Sequence, residues 1–141
     1  MPNNPSSPVI VLDTHIWIWL INGDAQIEKS KLLQLILSSS PHLLISVISV
    51  WEIAMLESKK RIKLPYDINE WVRRALNAPG IRLIPLSPEI AVESTRLGED
   101  FHGDPADRMI VASAKLQQAS LATADQNILT YCQKHHIATI Q

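Results

Sequence analysis

Apolar positions along this chain follow two patterns: short runs of β-branched and aliphatic residues, and longer stretches with helical spacing. Val9 to Asp13 is an apolar run that ends on an acid, which predicts a short strand. His15 to Ile21 is apolar on nearly every side, a buried helix closed by Asn22-Gly23. Ala25 to Leu37 is helical until Ser38 to Pro41 breaks it. Leu43 to Ser46 predicts a second strand and Val47 to Lys59 a helix. Asp67-x-x-Glu70 has the form of a capping box that opens a helix through Leu76. Pro79-Gly80 turns the chain into a third strand, Ile81 to Ile84. Ser87-Pro88-Glu89 puts proline at the first position of a helix ending near Gly98. Glu99 to Gly103 reads as a loop, and Asp104-Pro105 opens a helix to about Gln118. Leu121 to Thr123 is strand four. Asp125 or Gln126 opens a helix through His135, and Ile137 to Ile140 is a fifth strand.

Short strands alternating with six or seven helices imply βαβ units. The expected fold is α/β, a three-layer α/β/α sandwich around a short, mostly parallel five-stranded sheet. A length of 141 residues suits one domain. We read residues 9–141 as that domain and Met1 to Pro8, polar with three prolines, as a flexible segment before it.

Composition narrows the class. With 46% hydrophobic and 19% charged residues, the chain is globular and not disordered. Its one cysteine, Cys132, rules out an internal disulfide and fits a reducing compartment. Met1 to Pro8 lacks the basic and apolar regions of a signal peptide, and Ile16 to Ile21 is too short to span a bilayer. The expectation is a cytoplasmic protein with no membrane contact. The net charge of −1 lacks the basic surplus usual in nucleic-acid binders. Charge is uneven, however: Lys59, Lys60, Arg61 and Lys63 form a basic run, with Arg73 and Arg74 after it. That run has two readings, a solvated helix end or a phosphate contact.

The acids carry the chemistry. Asp13 stands where strand one stops, and Asp125 where strand four stops. Each has a simple reading as a helix N-cap. Ser49-x-x-Glu52 matches a capping box, but the apolar run from Val47 starts the helix nearer Ser46 and leaves Glu52 about a turn and a half inside. In Asp104-Pro105-Ala106-Asp107, Asp104 is a natural cap and Asp107 is the third helical residue. Thr123 stands to add a hydroxyl to the same place. Taken together, these acids fall at strand ends or at the starts of helices, positions that meet at the carboxyl edge of a parallel sheet. Like charges ~4 Å apart repel by about 4 kcal/mol at an effective dielectric near 20, so such a cluster persists when a cation neutralises it. An all-oxygen donor set points to Mg²⁺ or Mn²⁺.

Four stretches then show a family likeness: Val11-Leu12-Asp13-Thr14-His15 with Trp17 following, Ser46-x-x-Ser49-x-Trp51-Glu52-Ile53-Ala54, Phe101-His102-Gly103-Asp104-Pro105-Ala106-Asp107-Arg108, and Thr123-Ala124-Asp125-x-x-Ile128. In this order they resemble the PIN-domain nucleases, and most closely the VapC-type toxins of toxin–antitoxin pairs. The resemblance runs from Val9 to the C-terminus. It implies a three-layer α/β fold, Mg²⁺ or Mn²⁺ in a carboxylate pocket, endonucleolytic cleavage of RNA, a homodimer, and inhibition by a cognate antitoxin. Residue by residue, the metal-site and catalytic acids fall on Asp13, Glu52, Asp107 and Asp125. Asp104 is either a fifth ligand or mainly a cap, with Asp107 favoured as the ligand. Glu52 is the candidate to orient the attacking water as general base.

Other residues carry two readings each. His15 and His102 lie beside the acids, as phosphate contacts or as structural histidines, and His135-His136 reads as a helix end. Trp17, Trp19, Trp51 and Trp71 are base-stacking candidates or core and dimer contacts. Cys132 has no catalytic partner in sequence and reads as inert. Among rival classes, an aspartyl-phosphate phosphatase needs a second aspartate two residues after Asp13, where this chain has His15. A receiver domain needs a lysine after the last strand, and the sequence ends at Gln141. A housekeeping PIN nuclease, or a PIN-like module that binds RNA without cutting, is the remaining alternative.

Overall fold

The computed structural model describes residues 7–101 and 103–141; residues 1–6 of the expected N-terminal segment, and His102, lie outside the described residues. In chain order the elements are β1 (Val9–Leu12), α1 (Thr14–Asn22), α2 (Ala25–Glu28), α3 (Lys31–Ser39), β2 (His42–Ser46), α4 (Val47–Ser58), α5 (Ile68–Leu76), β3 (Ile81–Ile84), α6 (Pro88–Ser94), α7 (Pro105–Leu116), β4 (Ser120–Ala122), α8 (Gln126–Lys134) and β5 (Thr139–Ile140).

The strands form one sheet in the order β3-β2-β1-β4-β5. Every neighbouring pair is parallel, so the sheet is wholly rather than mostly so. Both faces are covered, which is why the strands read as continuous apolar runs and not as alternating ones. Ile10, Leu12, Leu43 and Ile45 point into one core with Ile16 and Trp17 of α1, Leu32 of α3, Ile53 of α4 and Trp71 of α5. Val11, Leu44 and Leu121 point into the other, with Ile110 and Val111 of α7 and Ile128, Tyr131 and Cys132 of α8. Helices on both faces make the three-layer sandwich expected from the pattern.

Several boundaries differ from the sequence reading, each for a local reason. The single helix expected over Ala25 to Leu37 is two helices, because the Ser30 hydroxyl accepts from the Leu32 amide and restarts the helix as a new N-cap. That split raises the helix count among the described residues to eight. The helix after Ser87 stops at Ser94, well before Gly98. The last strand pairs only at Thr139 and Ile140, while Ile137 packs into the second core. The Asp67–Glu70 pair is not a reciprocal box: Asp67 caps the Asn69 amide, and Glu70 turns to Arg73 and Arg74, its cationic neighbours three and four residues on.

The topology positions the site. From β1 the chain builds outward through β2 to β3, then returns to place β4 and β5 on the other side of β1. The order therefore reverses between β1 and β4, and a crevice opens at the carboxyl ends of those two strands. Asp13 directly follows β1, and Asp125 stands three residues after β4. No loop separates β2 from α4: Ser46 ends the strand and caps the helix by accepting from the Ile48 amide at 3.2 Å.

Candidate metal centre

Asp13 is 7% exposed and both of its carboxylate oxygens accept a hydrogen bond. One oxygen accepts from the Thr14 amide at 2.8 Å, capping α1, and the other accepts from the Thr123 hydroxyl at 2.8 Å. Its own amide donates to the Ala122 carbonyl at 2.9 Å, which ties the end of β1 to β4. Burial pushes its pKa up; the bonds from Thr123 and Thr14 and the nearby His15 counter this, and the charge of Asp125 adds to it. Thr123 also accepts from the Asp125 amide at 3.0 Å, so one hydroxyl links the two strand-end acids. Asp125 in turn caps α8 by accepting from Ile128.

Glu52 is the sixth residue of α4, not its cap. The Thr14 hydroxyl donates to it at 2.5 Å. Thr14 has one hydroxyl proton, so its 2.8 Å contact with the Ser49 hydroxyl is a bond that Ser49 donates. Thr14 and Ser49 are both buried. Burial raises the Glu52 pKa, the Thr14 bond lowers it, and the charges of Asp104 and Asp13 raise it further.

Asp104 caps α7 by accepting from the Asp107 amide at 2.9 Å, with Pro105 at the first helical position. Asp107 follows in the first turn. Its pKa is pushed up to about 7, first by burial and then by the charges of Asp104, Asp13, Glu52 and Asp125. Gly103 lets this turn approach: a Cβ there would sit 2.8 Å from the Asp107 Cβ and 2.6 Å from the Cζ of the buried Phe101 ring. Arg108 holds Phe101 from behind, donating to its carbonyl at 2.8 Å.

All five acids line one cleft of about 360 Å³, with His15, Trp19 and Ala124 completing its wall. Glu52, Asp104 and Asp107 each place a carboxylate oxygen within 4.8 Å of the other two. An octahedral Mg²⁺ or Mn²⁺ with bonds near 2.1 Å sets its ligand oxygens roughly 3–4 Å apart. A contraction of no more than ~2 Å converts this triad into a coordination set, and the donors are the hard oxygens such an ion takes. Asp13 and Asp125 stand outside the triad but line the same cleft, at the carboxyl ends of β1 and β4. Three of the acids serve as helix caps as well, so the capping and clustering readings are both realised. The N-termini of α1, α7 and α8 converge here, and their partial positive charge offsets part of the mutual repulsion.

The residues overlooked by sequence reasoning are Thr14 and Ser49, which orient Glu52. Their signal is a hydroxyl next to Asp13 and another three residues before Glu52, each inside an otherwise apolar run. Of the tryptophans, Trp17 and Trp71 belong to the core, stacked edge-on at 5.2 Å. Trp51 is 56% exposed and Trp19 is half-buried on the cleft wall. Cys132 is buried, and burial pushes its thiol up to about 11, which fits an inert role.

Residues 10–134 match the profile of the PIN domain family. The chain is 27% identical over 122 residues to Ribonuclease VapC22 of Mycobacterium tuberculosis, covering 86% of this chain and 91% of that protein. A chain of a toxin–antitoxin complex from Klebsiella pneumoniae superposes with a TM-score of 0.57 at 25% identity, covering 82% of this chain and 86% of its own. A chain from the crystal structure of VapBC2 from Rickettsia felis, bound to a DNA fragment from their promoter, shares the fold with a TM-score of 0.66. Its identity is 16% and coverage is 93% of this chain and 96% of that one.

Proposed function

The chain belongs to the PIN-domain family, and from that premise we propose that it is a divalent-metal-dependent endoribonuclease, the toxin of a toxin–antitoxin pair. One observation carries this reading: five carboxylates from separate parts of the chain line a single cleft at the switch point of the sheet. The ribonuclease among its relatives, and the toxin–antitoxin complex at 25% identity, support RNA as substrate and an antitoxin as the neutralising partner.

Glu52, Asp104 and Asp107 would hold Mg²⁺ or Mn²⁺, with Asp13 and Asp125 completing the acid set of the same cleft. When bound, the ion supplies an acidified water and a polarised phosphate for phosphodiester hydrolysis. Thr14 orients Glu52, the candidate general base, and Thr123 orients Asp13. Burial and the neighbouring carboxylates push the Asp107 pKa up to about 7, so binding of a cation would compete with its proton at and below neutral pH. The protein acts in the cytoplasm; none of its described helices is long and apolar enough to cross a membrane. A homodimer is the assembly we favour, supported by the exposed Val47 and Trp51, one turn apart on α4.

The test is cleavage of RNA by the purified protein. Cutting should require Mn²⁺ or Mg²⁺, stop with chelator, and vanish in Asp13→Asn while the far-ultraviolet spectrum stays native. Cleavage at the wild-type rate by Asp13→Asn, or in excess chelator, contradicts the proposal.

A further inference from the structure

The acid cleft does not end at the carboxylates. Trp19 and Ala124 line it and also line a second cleft of about 250 Å³, so the two adjoin along that wall. The second cleft has an apolar floor that includes Ile16 and Leu129, and a rim that includes Gln26, Lys29 and Gln126. No acidic side chain lines it; its charged groups are Lys29 and the terminal carboxylate of Gln141. This contrast matters for a polyanion. The five carboxylates next door repel every phosphate except one held by a cation, so flanking nucleotides need a landing place without that density of acidic side chains. Trp19 is packed against the core on one side and contributes surface to both clefts, with the His15 ring beside it at 6.2 Å. Unpaired RNA bases are recognised by stacking on such rings and by hydrogen bonds to their edges. The exposed amide of Gln26 offers donors and an acceptor, and that of Gln126 keeps its acceptor and one donor while its nitrogen reaches Thr130 at 3.4 Å.

We propose that this second cleft is the subsite for the nucleobase adjoining the phosphate that is cut, with Trp19 as its stacking platform and Gln26 and Gln126 reading its edge. Lys29 stands on the rim to meet a flanking phosphate. The inference rests on RNA being the substrate, and it adds a source of sequence preference that the acid cluster alone lacks.

The experiment is cleavage of short RNAs that vary in the nucleotide on either side of the cut, by wild type, Trp19→Phe, Trp19→Ala and Gln126→Ala. Mn²⁺ affinity is measured by calorimetry alongside. The wild type should rank the nucleotides. Trp19→Ala should raise KM ~10-fold or more, Trp19→Phe should keep most of the affinity, and Gln126→Ala should flatten the ranking. Mn²⁺ affinity should be equal in all four. Wild-type KM and ranking in both Trp19→Ala and Gln126→Ala overturn the subsite, and Gln126→Ala decides if Trp19→Ala fails to fold. Loss of Mn²⁺ binding in folded Trp19→Ala overturns it by making Trp19 a support of the acid cluster. A wild type that cuts no RNA fails the proposed function itself, a result distinct from these.

Discussion

The Thr14 hydroxyl donates to the Glu52 carboxylate at 2.5 Å, joining the first turn of α1 to the second turn of α4. Thr14 takes its own bond from Ser49, so the pair forms a buried relay behind an otherwise free carboxylate. Thr14→Val keeps the side-chain shape and removes the donor. A hydrogen bond to a charged group is worth about 1.5–3 kcal/mol. We expect a lower Tm and a roughly tenfold or greater fall in kcat/KM, with Thr14→Ser close to wild type. Equal kinetics for Thr14→Val and wild type contradict this role.

Asp104 is a helix cap that also stands in the triad, and one pair of variants separates the two functions. Asparagine caps nearly as well as aspartate, whereas alanine loses about 0.5–2 kcal/mol. Asp104→Asn should therefore hold the wild-type Tm and lose Mn²⁺ affinity, and Asp104→Ala should lose both. Wild-type Mn²⁺ binding by Asp104→Asn, measured calorimetrically, restricts Asp104 to capping.

The acid cluster sets the pH response of the metal-free protein. Asp107 titrates at about 7 when folded, against 3.8 as its ordinary value. Its folded pKa is raised, so its contribution to stability is complete below the ordinary value and is lost as pH rises through about 7. Asp13 and Glu52 are shifted the same way. Glu70, held down to about 2 by Arg73 and Arg74, acts in the opposite sense, and only in acid. The Tm of metal-free protein should fall between pH 5 and pH 8, and saturating Mn²⁺ should restore it at the upper end. A Tm that rises across that range contradicts the cluster.

Gly103 sits where an added methyl meets Phe101 and Asp107. Both neighbours are held, Phe101 by burial and Asp107 by the first turn of α7. Gly103→Ala should cost about 1–3 kcal/mol from overpacking and weaken Mn²⁺ binding by displacing Asp107. Phe101→Leu in the same chain should recover part of the loss. An undisturbed Tm and Mn²⁺ affinity in Gly103→Ala contradict this packing.

The sheet and its acid-bearing edge were legible because parallel strands are short, apolar and followed at once by polar caps. Asp13, Glu52, Asp107 and Asp125 could be placed at one end of the sheet from that punctuation alone. The Ser30 restart was not legible, since no proline or glycine interrupts the run from Ala25 to Leu37 and a lone serine is tolerated inside a helix. Glu70 misled because a capping box and an i,i+3 ion pair share one spacing, and the choice between them depends on Arg73 and Arg74. The relay through Thr14 and Ser49 depends on how α1 crosses α4, which no local pattern encodes. For Asp104 the sequence left cap and ligand both open, because its cap is local and its nearness to Glu52 is tertiary.

The central claim is that these carboxylates grip one kind of ion together. A calorimetric titration of Mn²⁺ into wild type and into Asp107→Asn, above pH 7 where the cluster is ionised, tests it most directly. The account predicts saturable binding with proton release in the wild type and its loss in a folded Asp107→Asn. Equal binding by the two proteins, or none by the wild type, contradicts it.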